Sequence, residues 1–138
     1  MLRSFILSLL LFSAVQIGLA QEGKREFSFT TIAQSHQEES ALLEQLEVSP
    51  DAFAPNFNLA IYYYNQAVNS IENLDYNDSD LASKQESIEG LFRKALQPAL
   101  LAFRKDQKQQ DVINMLSGIY FGLGDIKMSD YYKGLLSK

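Results

Sequence analysis

Asn56-Phe57-Asn58-Leu59-Ala60-Ile61-Tyr62-Tyr63-Tyr64-Asn65-Gln66-Ala67 is the stretch around which the chain is organised. Phe57, Ala60, Ile61, Tyr64, Ala67, Val68 and Ile71 recur at the three- and four-residue spacing of one helix face. A second stripe, Leu59, Tyr63 and Leu74, widens the apolar arc. A helix with so wide an arc must touch neighbours on two sides. The spacing therefore predicts an all-α domain packed around a central helix.

Size and composition bound the rest. A chain of 138 residues is at most one domain. Its 46% hydrophobic and 21% charged content is ordinary for a globular protein, and three prolines leave room for long helices. The net charge of −5 gives nucleic-acid binding no electrostatic support. Without cysteine there is no disulfide, thiolate metal site or cysteine nucleophile, and a single histidine argues against a histidine metal cage or a triad. Neither a metal nor a cofactor is expected.

The first residues read as an address. Arg3 supplies a positive start, residues 5–17 are almost wholly apolar, and Gly18-Leu19-Ala20 puts small residues at −3 and −1 of a cut before Gln21. The apolar run is shorter than the ~20 residues that span a bilayer, so residues 1–20 are expected to be a signal peptide; an uncleaved anchor is the alternative. Export without disulfides suits a bacterial periplasm or cell envelope. Residues 21–30 are expected to be a flexible N-terminal segment, in which Phe27 and Phe29 form a short extended piece or a latch onto the first helix. Residues 31–138 are expected to form the helical domain.

Five helices follow from the pattern. The first, 31–48, has a polar half at 34–40 that holds His36, read as a solvated surface histidine. Ser49-Pro50-Asp51 ends it, with Ser49 as the N-cap of a second helix over 52–74. Asn77-Asp78-Ser79-Asp80 is a turn without the spacing of a calcium loop. The third helix spans 80–105 and keeps its phase through Pro98, where a kink is expected. Asp106 and Gln109 have the offset of a capping box for the fourth helix. Gly124 suits its left-handed C-cap, and Asp125 caps a fifth helix over 126–136.

Leu46-Glu47-Val48-Ser49-Pro50-Asp51 followed by Asn58-Leu59-Ala60-Ile61-Tyr62-Tyr63 resembles the joint between two tetratricopeptide (TPR) repeats. Leu59-Ala60 stands for the Leu-small pair, Tyr63 for the tyrosine three residues on, and Pro50 for the closing proline. Leu116-Ser117, Tyr120 and Gly124 repeat the pattern. Ala60 with Ala95, and Ser117 with Ser129, are the small residues that let paired helices approach. Residues 53–109 run well beyond the family's ~34-residue unit, and Gln107 replaces its final proline. The pattern is similar to a long-hairpin variant of exported bacterial TPR proteins; an unrelated antiparallel bundle is the alternative.

The resemblance implies protein binding in a groove lined by the first helix of each hairpin. Its lining positions fall on Ala54, Phe57, Ile61, Tyr64 and Asn65 in the first unit, and on Asp111, Asn114, Gly118, Phe121 and Gly122 in the second. Asn58 matches an asparagine with which some TPR proteins clamp a C-terminal carboxylate, but the basic partners of that clamp are missing. The expected partner is another protein or peptide with an apolar or mixed surface. Alternatively Phe57, Ile61 and Tyr64 pack against the first helix and the Phe27/Phe29 segment. No phosphate loop, nucleophile elbow or paired-carboxylate motif points to an enzyme. Two other classes stay open: a helical bundle that holds an apolar ligand, and self-association.

Overall fold

The computed structural model describes residues 27–34 and 36–138. The expected signal peptide, and residues 21–26 of the expected flexible segment, lie outside the described residues. Five helices follow one another: α1 Glu39–Val48, α2 Phe53–Glu72, α3 Leu81–Lys105, α4 Gln110–Gly122 and α5 Ile126–Leu135. There is no strand among the described residues, so the all-α expectation holds.

The helices pack in chain order. α2 and α3 form the most extensive pair, α4 and α5 the next; α3 joins the pairs, and α1 covers the outer side of α2. α2 also touches α4, so the first helices of the two hairpins are neighbours. The core runs along this stack. Ala60, Ala67, Phe92, Ala95, Ala99, Met115, Leu116 and Ile119 are all fully buried. Alanine at the α2–α3 contact keeps the backbones close, while Phe92 supplies bulk worth ~2–3 kcal/mol of burial. Between α4 and α5 the small pair is polar and self-satisfied. The Ser117 hydroxyl donates to the Ser129 carbonyl at 2.9 Å, and the Ser129 hydroxyl donates to the Ser117 carbonyl at 2.8 Å.

Most joints follow the expected turn chemistry. Gly124 has φ 80°, its N–H donates to Phe121 O, and the Asp125 side chain accepts from Met128 N at 3.0 Å. Asp75 and Asp78 each accept from the backbone N–H two residues on, and Lys84 pairs with Asp78. α3 passes through Pro98 unbroken.

Three expectations are corrected. First, α1 begins at Glu39 and not at residue 31; residues 31–34 are not helical, and both backbone groups of Ile32 bond to Asn65 of α2 in place of a helix ladder. Second, Ser49 does not cap α2. Ala52 is the N-cap and its side chain makes no cap bond, while the buried Asn56 amide donates to Pro50 O at 2.9 Å and Ala52 O at 2.8 Å. That amide ties the turn to the helix from inside. Third, the Asp106–Gln109 capping box does not form. Asp106 accepts from Lys108 N, closing the turn before the helix, and Gln109 itself caps α4.

Candidate functional site

An extended segment, residues 27–34, lies across the face where α2 and α4 meet. Its backbone at Ile32 is bonded by one side chain of α2, Asn65. The N–H of Ile32 donates to Asn65 Oδ1 at 2.9 Å, and the Asn65 amide donates back to Ile32 O at 2.8 Å. One asparagine thus satisfies both main-chain groups of one residue, 33 positions away in sequence. Two residues on, Gln34 Nε2 donates to Asn58 O at 2.6 Å. Ile32 meets Asn65 and Gln34 meets Asn58, so the segment runs antiparallel to α2.

Aromatic rings hold the other end. Phe27 stacks on Phe121 of α4 with ring centroids 4.6 Å apart. Phe29 lies 5.7 Å from Phe92 of α3 and 5.9 Å edge-on from Phe121. Lys133 of α5 places its ammonium 5.8 Å from the centre of the Phe27 ring. Ring contacts of this kind are worth ~0.5–1.5 kcal/mol beyond their buried area.

Glycine makes the floor possible. A Cβ at Gly122 would sit 2.3 Å from the Phe92 ring, and one at Gly118 would sit 2.7 Å from the Tyr64 hydroxyl. The bare backbone of α4 therefore lets Tyr64 and Phe92 come up beneath the segment. Burial of Tyr64 pushes its pKa up to about 12. Tyr63, on the α1 side of α2, is also pushed up to about 12, by burial and then by its hydrogen bond to Glu39.

No family model, curated protein or solved structure matches the chain.

The expected lining residues divide into three groups. Asn65 and Phe121 contact the segment through their side chains, and Asn58 through its main-chain carbonyl alone. Tyr64, Gly118 and Gly122 form the floor, and Ile61 is part of the buried core. Phe57 stacks on Phe53 with centroids 5.1 Å apart, while Ala54, Asp111 and Asn114 are exposed and are not brought to the segment. Phe27 and Phe29 do form the extended piece, but it latches onto α4 and α3 and not onto the first helix.

Phe92 and Lys133 belong to the site although the sequence reading did not place them there. Phe92 falls in phase with the α3 core stripe, so its second contact, to Phe29, leaves no sequence signal. Lys133 lies on the polar side of α5. Among the described residues, no group of three His, Asp or Glu side chains is placed to hold a metal. No helix of the described residues is long and apolar enough to cross a membrane. His36 is fully solvated beside Glu38. A separate open cleft of about 630 Å³ lies at the α2–α3 turn, lined by Ser70, Asn73, Ser83, Lys84 and Ser87 among others. Its lysine is already engaged by Asp78.

Proposed function

We propose that this protein is a non-catalytic protein-interaction module, a TPR-like adaptor or scaffold of the bacterial cell envelope, that grips an extended segment along α2 and α4. The observation that carries the reading is the Asn65 clamp. A side-chain amide that both donates to and accepts from one backbone residue selects main chain in extended form, as no apolar small molecule could offer. The flanking aromatic shelf of Phe92 and Phe121 adds side-chain selectivity. The paired helices, the small residues between them and the Gly124 break agree with the TPR resemblance. Export rests on the sequence of residues 1–20.

The experiment is affinity capture from a bacterial envelope extract by the full chain. An Asn65→Ala/Phe121→Ala variant runs beside it, after circular dichroism shows that it folds. Retention of a protein by the natural chain and its loss from the folded variant is the expected result. Equal retention by both forms would move recognition away from this groove.

A further inference from the structure

The segment in the groove has an inward side, which breaks step once at Thr30-Thr31. Phe27, Phe29, Ile32 and Gln34 are turned partly inward, whereas Ser28, Thr30, Thr31 and Ala33 are exposed. No residue from 27 to 34 is charged, and none of the described ones is fully buried. The groove thus reads two aromatics two residues apart, then an aliphatic residue three places on. At the aliphatic anchor it also grips main chain, through the N–H and carbonyl of Ile32, atoms that any residue but proline would supply at the donor position. Resting on the protein-interaction reading above, we infer that the groove is a selective site for an uncharged, extended partner segment of the pattern aromatic-x-aromatic-x-x-aliphatic, and that residues 27–34 occupy it as an internal mimic which the partner displaces.

Three observations argue for displacement. No residue of the occupant is fully buried, unlike the core beneath it: Phe27, Phe29, Ile32 and Gln34 are half-buried and the other four are exposed. Its direct hydrogen bonds to α2 are confined to Ile32 and Gln34. It also precedes α1 by only a few residues, so it is always close to the groove. A short tether gives an occupant an effective concentration in the millimolar range. A partner segment of equal intrinsic affinity must overcome that advantage. Weakening the mimic therefore raises the apparent affinity for an added peptide without touching the groove.

The test uses the full chain and a fluorescein-labelled synthetic peptide, Phe-Ser-Phe-Thr-Thr-Ile-Ala-Gln, followed by fluorescence anisotropy. The peptide is expected to bind a Phe27→Ser/Phe29→Ser variant at least about tenfold more tightly than the natural chain. Adding Asn65→Leu to that variant is expected to weaken binding about tenfold. Equal affinity for the natural and Phe27→Ser/Phe29→Ser chains overturns the mimic; binding indifferent to Asn65 overturns the site. Should Asn65→Leu fail to fold, amide exchange at Ile32 of the natural chain decides. Faster exchange on adding saturating peptide supports displacement, and unchanged exchange overturns it. Elution of the natural chain as a dimer that the Phe27→Ser/Phe29→Ser change dissolves would make a second copy the occupant and overturn the partner assignment. Partner capture that needs Asn65 and Phe121, together with no peptide binding, would sink this inference and leave the adaptor reading standing.

Discussion

Gly122 and Gly90 are both helical, and their surroundings separate two roles of glycine. A Cβ at residue 122 would meet the buried Phe92 ring at 2.3 Å, whereas one at residue 90 meets nothing within 4 Å. Phe92 is fully enclosed, so its ring has no free space to yield. Gly122→Ala is expected to cost ~1–3 kcal/mol in urea unfolding, the range for overpacking a tight core. Gly90→Ala, by contrast, is expected to stabilise α3 by up to ~1 kcal/mol, because alanine loses less backbone freedom in a helix. If both substitutions destabilised equally, the close approach of α4 to Phe92 would be wrong. Tyr64 gives a second test at this scale. Its pKa is raised from 10.0 to about 12 by burial, so the fold favours the neutral phenol. That contribution is intact below pH 10 and is lost as the pH climbs through the folded value, by about 3 kcal/mol at most. The urea midpoint is expected to fall between pH 9 and pH 11.5, and to fall less in Tyr64→Phe, with the raised Tyr63 accounting for part of what remains.

At the scale of elements, the joints between helices are local and the start of α1 is not. The α4–α5 joint depends on Gly124 at positive φ and on Asp125 accepting from Met128 N–H. Gly124→Ala is expected to cost ~1–2 kcal/mol, since a Cβ is strained in the left-handed region, and Asp125→Ala ~1 kcal/mol. Thermal melts of both variants check the joint; a Gly124→Ala protein as stable as the natural one would contradict the geometry. This joint was legible in the sequence because glycine and aspartate act on their own neighbours. The beginning of α1 was not. Ile32 lies in an apparent helical stripe, yet both of its backbone groups bond to Asn65, 33 residues away. No local propensity reveals a competitor for hydrogen bonds at that distance. The same limit explains the site. Asn65 and Phe121 were placed by the resemblance, which encodes which helix faces the groove. Phe92 carries no such signal, because a residue with one side in the core and one side in the groove has the same spacing as any buried phenylalanine.

For the whole molecule, the question is whether residues 27–34 are part of the fold's stability or a covering over a structure that persists without them. The described helices pair with one another through α2–α3, α4–α5 and α3–α4 contacts, none of which passes through the segment. The segment contributes stacking on Phe121, a tilted contact with Phe92 and the Asn65 clamp. Replacing Phe27 and Phe29 by serine is therefore expected to leave the far-ultraviolet circular dichroism of the natural chain unchanged while lowering the Tm by a few degrees. A loss of ~1–2 kcal/mol, at ~3–4 °C per kcal/mol for a domain of this size, is a shift of ~3–8 °C. The same change uncovers Phe121 and the edge of Phe92 on one face, so binding of an apolar fluorescent dye is expected to rise. Loss of helical signal together with dye binding would instead mean that the segment is built into the core. The α2–α4 face would then be a structural seam, and the groove would have no existence apart from the chain that fills it.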